Sequence, residues 1–112
     1  MAADPRIRQI KIKTGVVRRL AKEELSYIKE AKQQEEKIER LKAEAGDEEQ
    51  QYVIKKQLEV LQECRMMVPD CRRRLTAAHA DLQQLLETEQ DLAEKEEYME
   101  ARSTLDSVKM DE

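Results

Sequence analysis

Residues Gln50 to Asp91 read QQYVIKKQLEVLQECRMMVPDCRRRLTAAHADLQQLLETEQD, and an apolar heptad runs through them past a proline. Ile54, Leu61, Val68, Leu75 and Leu82 recur every seven residues, and Cys64, Cys71, Ala78 and Leu85 do so on the neighbouring track. The phase is the same on both sides of Pro69, whereas a loop would reset it. The spacing therefore predicts one long helix over about 50–91, kinked at Pro69 and packed along another helix.

Punctuation places the partners of that helix. Asp4-Pro5 is a helix start, an acid at the N-cap followed by Pro at the first helical position. Ile10, Val17, Ala31 and Ile38 then mark one track, Leu20, Tyr27 and Leu41 the other, and Ala21 and Ile28 widen the apolar face. Gly15 interrupts the pattern, as a site of fraying or of a close neighbour. Gly46 reads as the C-terminal stop, with Asp47 to Gln51 as the turn. A weaker break at Asp91 to Glu94 precedes Tyr98, Ala101, Leu105 and Val108 at helical spacing. The fold predicted is all-α: a single domain over 1–112, an elongated antiparallel three-helix bundle (up-down-up) with helices at about 5–45, 50–91 and 95–109. A helix break at Pro69 is the rival topology, and it would leave the third apolar track unburied.

Charge favours the same arrangement. From Asp4 to Lys22 there are seven basic residues and one acid; from Glu87 to Glu100 there are seven acids and one Lys. The up-down-up path brings these stretches to the same end. The far end is then a two-helix hairpin, where Val53, Val60, Met67 and Leu58 exceed what one seam buries and remain available to a partner or a second copy.

Composition narrows the function classes. Charged residues make up 41% of the chain and Trp and Phe are absent, which leaves material for a thin seam between helices and none for a thick globular core. The net charge of −4 disfavours wholesale nucleic-acid binding. No apolar run reaches the roughly 20 residues of a membrane span, and the first ten residues lack a secretory pattern, so the expected compartment is the cytosol. Cys64 and Cys71 are too far apart on one helix for a disulfide and are expected as free thiols. His79 is the only histidine, expected half-buried and structural. No constellation for catalysis, metal or cofactor binding can be assembled, so the chain reads as a non-enzyme.

The segment with an interaction signature is 65–74. Met66 falls on an outward heptad position beside Arg72, Arg73 and Arg74. Those arginines either pair with acids of helix one such as Glu23 and Glu24 or dock an acidic partner. The candidate partner-binding residues are Arg65, Met66, Met67, Pro69, Asp70, Arg72, Arg73 and Arg74.

This same stretch carries a resemblance. Arg65-Met66-Met67-Val68-Pro69-Asp70-Cys71 with Arg74-Leu75 resembles the central signature of the tubulin-specific chaperone A (tubulin-binding cofactor A) family. Ile10 to Val17, Glu30 to Ile38 and Leu105 to Lys109 look like further motifs of that family, in order and at matching spacing. Departures are small: Val68 stands where isoleucine is common, Cys64 where serine is common, and the turn after Gly46 is slightly extended. The resemblance implies a cytosolic, cytoskeleton-associated three-helix bundle that binds β-tubulin after its release from the chaperonin and holds it for pairing with α-tubulin. Other tubulin-folding cofactors share that task, and no nucleotide or cofactor is used. The chain is expected to be a monomer or weak homodimer. A homodimerising coiled-coil scaffold is the alternative reading; nucleic-acid binding by the arm from Arg6 to Lys22 is the least favoured.

Overall fold

The computed structural model describes residues 4–44, 46–108 and 110. Three α-helices account for most of them: α1 (Pro5–Glu44), α2 (Glu48–Thr88) and α3 (Glu96–Ser107), with one 3-10 turn (Gln90–Leu92) before α3. There is no strand among the described residues. The fold is all-α, as the heptads require. The expected terminal residues 45 and 109 lie outside the described residues.

The helix ends show why each element starts where it does. Asp4 caps α1: its Oδ1 accepts from the Arg6 backbone N–H at 2.9 Å, and Pro5 opens the first turn. Asp47 caps α2 by accepting from the Gln50 N–H at 2.8 Å, while the Gln50 side chain accepts from the Gly46 N–H at 2.6 Å. This near-reciprocal cap starts α2 at Glu48, two residues before the expected position, and turns most of the supposed loop into helix. It also corrects the reading of Gly46. No glycine has positive φ, so Gly46 serves the entry to α2 and forms no left-handed stop.

The helix α2 is continuous across Pro69, and the rival topology with a break there is ruled out. The proline lacks the N–H that would reach the Arg65 carbonyl, so one rung of the ladder is missing. Gly15 is corrected too. The helix α1 runs unbroken from Pro5, and a Cβ at Gly15 would meet nothing within 4 Å. It marks neither frayed turns nor a close neighbour within the chain.

The chain divides into two compact units. The first comprises residues up to Lys22 and from Arg72 onward. Here α1 and α2 run antiparallel and α3 returns beside them. Ile10, Val17, Leu20, Leu75, Leu82, Leu86, Leu92, Tyr98, Ala101 and Leu105 form its core. Arg6 Nη1 donates to Glu89 Oε2 at 2.7 Å and to Asp91 Oδ2 at 2.9 Å, joining the basic and acidic stretches as expected. Lys13 pairs with Asp81, and Arg18 Nε donates to the Thr104 hydroxyl at 3.1 Å. The helix α2 ends at Thr88 rather than 91, because Leu92 turns inward to the core through the 3-10 turn. Tyr98 follows: its hydroxyl donates at 3.0 Å to the Leu86 carbonyl, one of the four that a helix C-terminus leaves without an N–H. His79 is half-buried, with Nε2 3.2 Å from the Leu105 carbonyl.

The second unit, Glu23–Cys71, is an antiparallel two-helix hairpin. Its core is small: Ala31, Ile38 and Leu61 cluster with Cys64 packed against them, and Ile54 and Cys71 are buried as well. Both cysteines are free thiols.

Candidate functional site

The hairpin holds seven of the nine large hydrophobics left exposed among the described residues: Leu25, Ile28, Tyr52, Val53, Leu58, Val60 and Met66. The cause is geometric. Two helices bury one seam each, whereas apolar residues here occupy both flanks of that seam. On one flank lie Ile28 and Leu58, beside the ion pair of Arg65 with Glu35 at 2.7 Å. On the other flank Val60 and Cys64 floor an open groove of about 430 Å³, rimmed by Glu30, Gln33, Gln34, Lys37 and Arg40. Gln34 donates to both the backbone and the side-chain oxygen of Gln57, at 3.1 and 2.6 Å, tying the helices beneath that flank.

The sequence anticipated Val53, Leu58 and Val60 as surface; they are 40%, 42% and 43% exposed. Met67 is half-buried. Ile28, expected to widen a buried face, is instead 46% exposed. Leu25 and Tyr52 were not anticipated. Their signal was present, since an apolar residue off both heptad tracks has no seam to enter.

The predicted patch at 65–74 lies along α2 and is divided between the units. In the hairpin, Met66 is 63% exposed, Arg65 and Pro69 are exposed, and Asp70 is half-buried. In the three-helix unit, Arg73 and Arg74 are exposed and Arg72 is half-buried, with Nη1 3.7 Å from the Met110 sulfur. Arg72, Arg73, Arg74 and Asp70 all have partners within the chain, as do Glu23 and Glu24. Those arginines are committed side chains, and the exposed apolar side chains of this stretch are Met66 and Pro69.

No group of three or more His, Cys, Asp or Glu among the described residues is placed to hold a metal ion. Among the described residues no helix is long and apolar enough to cross a membrane. What the surface offers is contact area.

A family model described as tubulin binding cofactor A matches residues 5–105. The chain belongs to that family. It is 70% identical to bovine tubulin-specific chaperone A over 109 residues, covering 97% of this chain and 98% of the relative. It is 40% identical to the tubulin-folding cofactor A of Arabidopsis thaliana over 104 residues, covering 91% of this chain and 89% of the relative. Among solved structures, human tubulin chaperone cofactor A superposes with a TM-score of 0.78 at 68% identity, over 93% of this chain and 98% of the other. The cofactor A structure from Arabidopsis thaliana gives 0.79 at 38% identity, over 93% and 95%.

Proposed function

We propose that this chain is a tubulin-folding chaperone that captures β-tubulin after chaperonin release and supplies it for assembly of the αβ heterodimer. The carrying observation is the family match across residues 5–105, joined to relatives named for tubulin folding that align over nearly the whole chain. The geometry is consistent with it. An unpaired subunit exposes apolar surface that its partner would normally cover, and the hairpin presents apolar side chains in a charged, soluble frame. Such a surface binds without chemistry, so the mechanism is stoichiometric holding in the cytoplasm, with other tubulin-folding cofactors receiving the subunit. Of the residues at 65–74, Met66 is the proposed contact, with Arg65, Met67, Pro69 and Asp70 beside it and Arg72, Arg73 and Arg74 as further members of the patch.

The test is light scattering of β-tubulin released from the chaperonin, titrated with the purified chain in the absence of nucleotide. Suppression that saturates at one chain per tubulin is the expected result. Suppression at catalytic amounts, or only with ATP, contradicts stoichiometric holding.

The exposed hairpin hydrophobics also favour a second reading, self-association as a scaffold. Sedimentation at rising concentration separates the two: a monomeric mass throughout leaves capture, and a stable dimer lost on Leu58→Asp supports the scaffold.

A further inference from the structure

We infer that the outer face of α1 in the three-helix unit is a docking stripe for an acidic peptide segment of another protein. This does not rest on the tubulin reading. From Arg8 to Lys22 the chain has no acid. Helical spacing puts Arg8, Lys11, Ile12, Gly15, Arg19 and Lys22 on one stripe, and all six are exposed. Three neighbouring cations are used internally, Arg6 on Glu89 and Asp91, Lys13 on Asp81 and Arg18 on Thr104, and Arg19 has a partner within the chain, so the selecting charge of the stripe is that of Arg8, Lys11 and Lys22. Arg8, Lys11 and Lys22 form no ion pair among the described residues.

Two apolar features separate this stripe from a merely solvated basic face. Ile12 is 49% exposed between the cations, one of two large hydrophobics exposed among the described residues of the three-helix unit. Gly15 stands beside it with open space where a Cβ would be, so its cost in helix propensity serves no contact within the chain. A glycine there lets the backbone of a visitor come close to α1, Ile12 provides an apolar foothold, and the cations select negative charge. A peptide carrying carboxylates and an apolar side chain fits all three. A nucleic acid fits less well: the stretch has no aromatic residue for a base to stack on, and Ile12 offers an apolar foothold that a phosphate backbone does not use.

The probe is a fluorescein-labelled, glutamate-rich peptide with leucine at helical spacing, followed by anisotropy at low and moderate salt, beside a single-stranded oligonucleotide of equal charge. The expected result is peptide binding that weakens with salt and falls about tenfold on combined Lys11→Glu and Lys22→Glu reversal. Gly15→Leu is expected to raise the denaturation midpoint and weaken the peptide, a combination that damage to the fold cannot produce. Unchanged peptide affinity in the charge-reversed chain, or in Gly15→Leu, overturns the proposal. So does an oligonucleotide that binds as tightly as the peptide.

Discussion

At the head of α1, Asp4 holds three roles at once: cap, ion-pair partner and charge at a helix N-terminus. The Arg6 side chain, and then the Arg6 backbone N–H, hold its carboxyl below the ordinary 3.8. Arg6 in turn is pushed further into its charged form by Asp4, Glu89 and Asp91. A depressed carboxyl contributes stability that is present above its unfolded pKa and is lost as pH falls through the lower folded value. Asp4→Asn keeps the cap and removes the titration, so the variant is expected to lose less stability than the parent below about pH 4, read from urea midpoints across the acid range. Gly15 gives a second prediction. With open space at the Cβ position, Gly15→Ala is expected to raise unfolding stability by about 1 kcal/mol, measured by urea denaturation. A third concerns Met66, 63% exposed in the hairpin. Met66→Asp is expected to leave helicity by circular dichroism unchanged and to weaken β-tubulin capture about tenfold or more, the scale of a lost interface contact.

At the scale of elements, the two units differ in how much apolar surface secures them. Among the described residues the three-helix unit buries ten apolar side chains, and the hairpin five, Ala31, Ile38, Ile54, Leu61 and Cys71. Local opening follows buried contact density, so amides of the hairpin helices between 23 and 71 are expected to exchange faster than those near Leu75, Leu82 and Leu86. Hydrogen exchange read by mass spectrometry checks this; equal protection would contradict it. The same contrast explains what could be read in advance. Ile54, Leu61, Leu75 and Leu82 were legible because a heptad track states burial directly, and all four are buried. Val68 on the same track is only half-buried. Leu86 and Leu92 were missed. The first lies one residue beyond the track position Leu85, and the second enters the core from a 3-10 turn that has no helical period. Thr14, Glu24 and Thr104 are buried, and an apolar pattern is blind to polar core residues. For Thr104, the Arg18 guanidinium meets the hydroxyl, while Thr14 bonds back to the Ile10 carbonyl. The end of α2 was misplaced for the same reason: tertiary burial of Leu92 ended a helix that local propensity would have continued.

At the scale of the molecule, the proposed function draws on two separate signals of unequal reach. The exposure of Met66 and of Val53, Leu58 and Val60 in the hairpin could be read from residue spacing alone. The arginines at 72–74 could not be sorted that way, because pairing within the chain depends on the folded geometry, and all three have partners there. The nature of the partner came from family membership, since periodicity specifies a helix face and leaves its occupant open. Capture by an apolar, charge-framed surface predicts discrimination by state of assembly: the heterodimer has already covered the surface that an unpaired subunit offers. The most direct test is size exclusion of the purified chain mixed with newly released β-tubulin and, separately, with intact αβ-tubulin. A one-to-one complex with β-tubulin and none with the heterodimer is the predicted result. No complex with β-tubulin, or equal binding to the heterodimer, would contradict capture of the unpaired subunit.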